Sequence, residues 1–270
     1  MTKKWNEKIK KSVIQSETDS TLTEQILFSI ITVCYNSENV IEKTIRSVLH
    51  QTYPYIEYLI IDGYSEDSTI SIAERYKGLF KKKGYKYSII SEQDKGIYDA
   101  MNKGIRFSTG ELIGFINAGD WYEKNAVSIV AKEYRRSFFD YFYADIKLIK
   151  PNGKIIIKHS KPDCFPSSRH WNHPTSFCRK ELYIGLGGFK CRGIHDDFDF
   201  FLRVRKSGKK VRILNRVLAN FTVGGISNKK NINMCRQRIG DRYKVYKENG
   251  YSSLYLLECF GMEIAKYILS

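Results

Sequence analysis

The chain has 270 residues, with 45 Lys and Arg against 29 Asp and Glu and a formal net charge of +16 at pH 7. That length holds one large domain or two small ones around a sizeable core, and 42% hydrophobic with 14% aromatic residues excludes a disordered chain. The charge calls for an anionic partner, whether nucleotide phosphate, lipid pyrophosphate, membrane surface or nucleic acid, without choosing among them.

Residues 1–25 are polar and lysine-rich, and Trp5, Ile9 and Val13 stand at the spacing of a short amphipathic helix, expected on a solvated tail packed loosely on the domain, with a membrane foot as the alternative. No apolar signal-peptide core follows Met1–Lys11, and no run of about 18 uncharged apolar residues predicts a membrane span. The six cysteines, at 34, 164, 178, 191, 235 and 259, form no CxxC pair. A reducing, cytoplasmic setting is therefore expected rather than a disulfide framework. Cys164, His170, His173 and Cys178 match no common zinc spacing and read as core and loop residues.

Phe28 to Val33 is a β-branched run that predicts a buried strand. It ends in the polar loop Cys34-Tyr35-Asn36-Ser37. Val40, Ile41, Thr44, Ile45, Val48 and Leu49 mark one helix face, closed by Pro54. Ile56 to Ile61 predicts the second strand, running into Asp62-Gly63-Tyr64-Ser65-Glu66-Asp67-Ser68-Thr69. There Ser65 or Asp67 can cap the next helix, and a capped helix start beside a strand end is also an anion site. A helix over 69–78, a lysine-rich loop and a third strand near 86–90 follow. The stretch Ser91 to Gly104 then passes from a charged loop into a helix carrying Asn102 and Gly104. Leu112 to Ile116 predicts a fourth strand, ending in Asn117-Ala118-Gly119-Asp120. Strands that alternate with helices predict βαβ units and a mostly parallel α/β sheet. Ligands of such sheets bind outside the carboxyl ends of the strands.

The rhythm changes after residue 120. A helix over 124–136 precedes the aromatic strand Tyr141-Phe142-Tyr143-Ala144-Asp145, and Pro151-Asn152-Gly153 predicts a hairpin turn. Ile194 to Arg203 passes from acidic to helical. Val211 to Leu214 and Val217 to Val223 predict two strands, and 234–269 a helical segment. In that segment Leu254, Leu257, Ile264 and Ile268 are expected to pack on the domain, with a bilayer surface as the alternative.

Taken in order, the motifs resemble a family 2 glycosyltransferase of the bacterial surface-polysaccharide type. They are Ile31-Thr32-Val33 to Asn36, Asp62 to Thr69, Ser91 to Gly104, Asn117-Ala118-Gly119-Asp120-Trp121, His173-Pro174-Thr175, Asp197-Phe198-Asp199 with Arg203, and Gly224-Gly225-Ile226-Ser227. Each piece is weak alone; the ordered set is specific. The resemblance implies a GT-A fold with a Rossmann-like sheet and helices on both faces. A donor half at about 26–122 would merge with an acceptor half at about 123–230, and a helical segment at 231–270 would follow.

The same resemblance implies an inverting, metal-dependent hexosyl- or N-acetylhexosaminyltransferase. It would take a nucleotide sugar, a UDP-sugar first, to a saccharide or lipid-linked oligosaccharide acceptor in O-antigen or capsule-type synthesis. Asp62 would accept the uracil N–H, flanked by Thr32, Tyr35 and Asn36. Lys95 would offer charge and Gly96 close backbone approach, with Asn102 and Gly104 passing beside the donor. Asn117, Ala118 and Gly119 would line it. Asp120 matches the last carboxylate of the family's DXD-type motif and would hold Mg²⁺ or Mn²⁺. Asn117 and Gly119 depart from that motif, leaving one acidic side chain. Asp197 matches the general base, with Asp196 its competitor and Asp199 a partner for Arg203. His173, Thr175 and His195 would meet the acceptor. The enzyme is expected in the cytoplasm, peripheral on the inner membrane face, without a nucleic-acid partner. Rival readings are a nucleotidyltransferase, a nucleic-acid binder and an inactive scaffold-like homologue.

Overall fold

The computed structural model describes residues 25–162, 165–224 and 232–269. The expectations for Trp5, Ile9 and Val13, for Cys164, and for Gly225-Ile226-Ser227 lie outside the described residues. Strands β1 (Phe28–Cys34) and β2 (Ile56–Asp62) are buried along their whole length, as apolar runs without polar alternation require in a parallel sheet covered on both faces. β3 (Lys86–Ser91) and β4 (Leu112–Phe115) complete the parallel part. The register sets Cys34 against Asp62 and Asp62 against Ser91, and pairs Ile31 with Phe115. The four strands therefore end close together, and their following loops share one edge.

Helix α1 (Ile41–Leu49) covers one face of this sheet through Ile41, Ile45 and Val48, beside Phe28 and Ile30. After α2 (Thr69–Glu74) and α3 (Lys77–Lys83), helix α4 (Ile97–Phe107) covers the other face through Tyr98, Met101 and Ile105, beside Ile31 and Val33. The lysine-rich stretch expected as a loop is the helix α3. One buried anchor, Phe80, holds it, and Gly84 closes it at φ 79° in a left-handed cap.

The second half adds β5 (Trp121–Tyr122), α5 (Ala126–Arg136), β6 (Tyr141–Ile149), β7 (Ile155–Lys158), a 3₁₀ turn at His173–Thr175 and β8 (Phe177–Arg179). α6 (Lys180–Gly185), α7 (Asp196–Lys206), β9 (Val211–Thr222), α8 (Ile232–Glu248) and α9 (Tyr255–Leu269) complete it. Among the described residues nine strands form one sheet, β3-β2-β1-β4-β8-β6-β9-β5, with β7 on β6. β8 runs antiparallel to β4, so the parallel pattern stops where the alternation of strands and helices stops. The two strands expected at 211–223 are one, β9, irregular between Leu214 and Val217 along β6. Its far end carries Thr222 to the loop after β4.

The C-terminal segment is a hairpin of two helices. Arg238 Nε donates to Glu263 at 2.8 Å across it, and the Tyr246 and Tyr255 rings meet at 4.2 Å. Leu254, Leu257 and Ile264, expected to pack on the domain, are exposed instead, because α9 turns Cys259 and Glu263 inward. The side chain of Ile268 lies outside the described residues.

Gly104 sets how closely α4 lies on the sheet. A Cβ there would stand 2.6 Å from Ile31 Cγ2, so this glycine serves packing rather than the donor. Gly104→Ala should gain about 1 kcal/mol of helix propensity and lose about 1–3 kcal/mol to overpacking. A net loss is expected, read as a lower urea midpoint at unchanged slope; a higher midpoint would show that the α4–β1 contact yields freely.

Candidate active site

Asp62 closes the end of β2, fully buried. Its Oδ2 accepts the Ser65 N–H at 2.9 Å and the Ser91 hydroxyl at 2.7 Å. Its Oδ1 accepts the Ser65 hydroxyl at 2.5 Å and the Cys34 thiol at 3.5 Å. Those four donors meet the capacity of a carboxylate, and Asp62 ties three strand ends together. Burial, with Asp62's charge behind it, pushes the Cys34 thiol up.

Thr32 is held in the same way. It is fully buried, and its hydroxyl donates to Ile116 O at 2.7 Å beside the Tyr58 hydroxyl. Asn36 bends the loop at φ 44°; its N–H donates to Ser65 Oγ and its Oδ1 accepts the Glu66 N–H at 3.0 Å. It joins two loops, with its side-chain acceptor already used. Asp67 Oδ1 accepts the Thr69 N–H that opens α2.

Tyr35 stands open above this floor, 61% exposed. A Cβ on Gly63 would lie 3.5 Å from its ring and 2.7 Å from Asp94 Oδ2. Asp94 Oδ1 accepts the Gly96 N–H at 2.8 Å. The sequence reading assigned Asp94 no role, yet it is the half-buried carboxylate beside an open aromatic ring. Its signal was its place just before Lys95-Gly96. Lys95 is exposed, and Gly96, at φ 114°, opens α4. Asn102 Oδ1 accepts the Phe189 N–H at 2.9 Å and its Nδ2 donates to Phe189 O at 2.8 Å. These bonds make it a clamp between α4 and the 186–191 loop.

The loop after β4 is held tightly. Ala118 N–H donates to Val33 O, Gly119 N–H donates to Thr44 Oγ1 at 3.0 Å, and Thr44 Oγ1 donates to Asp120 O at 2.7 Å. From β9, the Thr222 hydroxyl donates to Gly119 O, and its N–H donates to Asp120 Oδ1 at 3.0 Å. Burial pushes the Asp120 carboxyl up to about 7, against that N–H. Asn117 Oδ1, three residues away, is buried without a partner. Among the described residues no cluster of three or more His, Cys, Asp or Glu forms a ready metal cage. A buried carboxyl short of a counter-charge and an orphan amide oxygen on one tight loop do fit a cation completed by phosphates, the usual arrangement for Mg²⁺.

The first turn of α7 separates the adjacent aspartates. Asp196 is buried, its Oδ2 accepting the Arg192 N–H at 2.5 Å and the Gly193 N–H at 3.0 Å. Those bonds order the preceding loop. Asp199 is fully buried against Lys190, Arg203 and Asn249, each at 2.8 Å. Burial works to raise its carboxyl, but the Lys190 and Asn249 hydrogen bonds and the Arg203 charge outweigh it and hold it below the usual range. Asp197 alone of the three keeps a partly open side chain. Its Oδ1 accepts the Phe198 N–H at 2.7 Å, and its Oδ2 lies 3.6 Å from His173 Nδ1.

His173 sits among the Phe115, Trp171 and Phe189 rings, its Nε2 buried without a partner. Within the chain its ion-pair partner is Asp197. Burial pushes its imidazole down, against Asp197's charge. Thr175 is fully buried, and its hydroxyl donates to Ala144 O at 2.6 Å and accepts the Ala144 N–H. His195 lines a cavity of about 60 Å³ between the 192–196 loop and α8, with Asp241, Lys244 and Glu248. A shallow depression of about 440 Å³ lined by Lys77, Lys81, Tyr85, Lys86 and Tyr87 lies by the start of β3, at the far end of the sheet.

Residues 29–199 match the family model described as Glycosyl transferase family 2. A PGL/p-HBAD biosynthesis glycosyltransferase of Mycobacterium bovis is 30% identical over 213 residues, covering 75% of this chain and 79% of that protein. The crystal structure of S. aureus TarS 1–349 in complex with UDP matches at TM-score 0.61 and 18% identity, over 91% of this chain and 72% of that one. The mannosyltransferase PcManGT from Pyrobaculum calidifontis, in complex with GDP-Man and Mn²⁺, matches at TM-score 0.62 and 15% identity, over 92% and 77%. Those likenesses carry the fold, which is GT-A.

Burial of neutral His173 gives stability a pH dependence. Its folded pKa lies below the unfolded value of 6.5, so the unfolded chain binds more protons as pH falls. This contribution is complete above pH 6.5 and is lost progressively below it. The Tm difference between wild type and His173→Gln should therefore shrink between pH 7.5 and 5.5; a difference constant across that range would refute a buried neutral imidazole.

Proposed function

With residues 29–199 matching its model, this chain belongs to glycosyl transferase family 2, and on that premise we propose that it is an inverting, metal-assisted sugar transferase using a nucleotide-sugar donor, first a UDP-sugar. The acceptor we propose is a saccharide, lipid-linked in cell-surface polysaccharide synthesis. One observation carries the reading: Asp197 alone keeps an open carboxylate at the start of α7, while Asp196 and Asp199 are consumed by the fold. Relatives support the substrate class. The M. bovis protein is named for PGL/p-HBAD biosynthesis, a Pasteurella multocida relative is a hyaluronan synthase, and the structural neighbours are seen with UDP, UDP-GlcNAc or GDP-Man.

The donor half, about 26–122, would receive the nucleotide. The open Tyr35 ring offers a stacking face for the base, and Asp94, in the part first assigned to Asp62, an acceptor for its N–H. Lys95 and the N–H groups opening α4 offer positive potential to the diphosphate. Asp120 and Asn117 would hold a Mg²⁺ or Mn²⁺ ion, which supplies charge that stabilises the departing nucleoside diphosphate. In the acceptor half, about 123–230, Asp197 takes the proton of the attacking hydroxyl. The new C–O bond forms at the anomeric carbon as the bond to phosphate breaks, and inversion follows from attack opposite the leaving group. His173 steadies Asp197 from behind. The excess of cationic side chains fits an acceptor displayed on an anionic membrane.

A screen of sugar nucleotides by released nucleoside diphosphate tests this. With the preferred donor, Asp197→Asn should cut kcat by about 10²–10⁴, and Asp120→Asn should abolish the response to Mn²⁺. Asp94→Asn should weaken UDP binding about tenfold, the loss of one charge-assisted hydrogen bond. Wild type and Asp197→Asn turning over equally would overturn the base assignment. Wild type inert with every donor would favour the scaffold reading.

A further inference from the structure

The C-terminal hairpin carries an exposed apolar surface outside the crevice described above. α9 meets α8 through Tyr255, Cys259 and Glu263, while Leu254, Leu257, Phe260 and Ile264 stay 74%, 71%, 47% and 57% exposed. At about 100° per residue Leu257, Phe260, Gly261 and Ile264 fall within an arc of about 100° of α9 that holds no charged residue, and Leu254 stands in the turn just before it. Single exposed apolar side chains need no explanation, but a continuous stripe does. A further ring, Phe165, stands 77% exposed on the loop held against the hairpin. Pro166 O accepts the Tyr246 hydroxyl, and the Ser167 hydroxyl donates to Glu258 at 2.6 Å. Exposed cations lie on the same hairpin and loop: Arg236, Lys244 and Lys247 on α8, and Arg169 after Ser167.

We propose that the α8–α9 hairpin seats the protein on an anionic lipid bilayer. Leu254, Leu257, Phe260 and Ile264 enter the boundary between headgroups and acyl chains, and the cationic side chains meet the headgroups. No helix among the described residues is long and apolar enough to cross a membrane, so this hairpin lies on the surface. Charge favours the bilayer over a second copy as the occupant. Pairing two such faces would bring together two chains of net charge +16, which an anionic bilayer attracts. The inference deepens, and rests on, the lipid-linked acceptor proposed above, because a seated enzyme meets such an acceptor in two dimensions.

The test is flotation of the full chain with vesicles of phosphatidylcholine alone or mixed with phosphatidylglycerol. Wild type should float with the mixed vesicles in a salt-sensitive way. The double variant Leu257→Ser with Ile264→Ser should lose about tenfold or more of that partitioning. Its circular dichroism and its nucleotide release from soluble donor should match wild type. A variant that floats like wild type would overturn the proposal. So would a wild type that ignores both vesicle types yet forms a dimer that the variant dissolves, making the stripe a contact between copies. Docking that persists in a chain inert to every donor would sink the transferase reading and leave the membrane seat standing.

Discussion

A buried carboxylate survives in a protein only when its hydrogen-bonding capacity is met, and Asp62 meets that condition with donors from the ends of β1 and β3 and from the loop after its own strand. The level register of the strands brings those donors within reach. Once satisfied, Asp62 holds the crevice floor rigid without itself facing the opening. Tyr35, Gly63 and Asp94 take their places on that floor. The polar network at the strand ends is therefore structural first, and the open residues above it are what a ligand would meet.

The same division recurs across the crevice. The side chains of Lys190, Arg203 and Asn249 meet around the buried Asp199 carboxylate and anchor the start of α7. Asp196 ties the preceding loop to the same turn. With both neighbours committed, helical geometry turns Asp197 toward His173 and the 3₁₀ turn. Two clamps then register the halves: Asn102 on Phe189, and Thr222 on Gly119 and Asp120. Both span long distances in the chain, so neither belongs to one element.

Much of the architecture was legible because burial on two faces leaves a plain mark. Phe28 to Val33 and Ile56 to Ile61 have no polar alternation, and their polar loop ends announce the crevice edge. The errors have equally plain causes. The lysines of α3 hid a helix anchored by Phe80 alone, since one buried side chain in seven residues gives almost no periodicity. Asn215 and Arg216 looked like a break between strands and are an irregularity inside β9. In the C-terminal segment the apolar positions are expected to pack on the domain, with a bilayer surface as the alternative. Packing instead selected Cys259 and Glu263, the latter because Arg238 and Arg242 wait opposite it.

From the sequence alone followed the α/β class, the order of the first strands and helices, the family resemblance, and the short list of polar residues clustered at the strand ends. Periodicity and motif order are properties of the chain, and they survive without coordinates. Which member of each polar cluster faces solvent was settled only in three dimensions. Asp62 against Asp94, and Asp196 against Asp197, are indistinguishable as letters. Their difference is burial and the count of donors within hydrogen-bond reach, and those donors come from strands and loops far away in the chain.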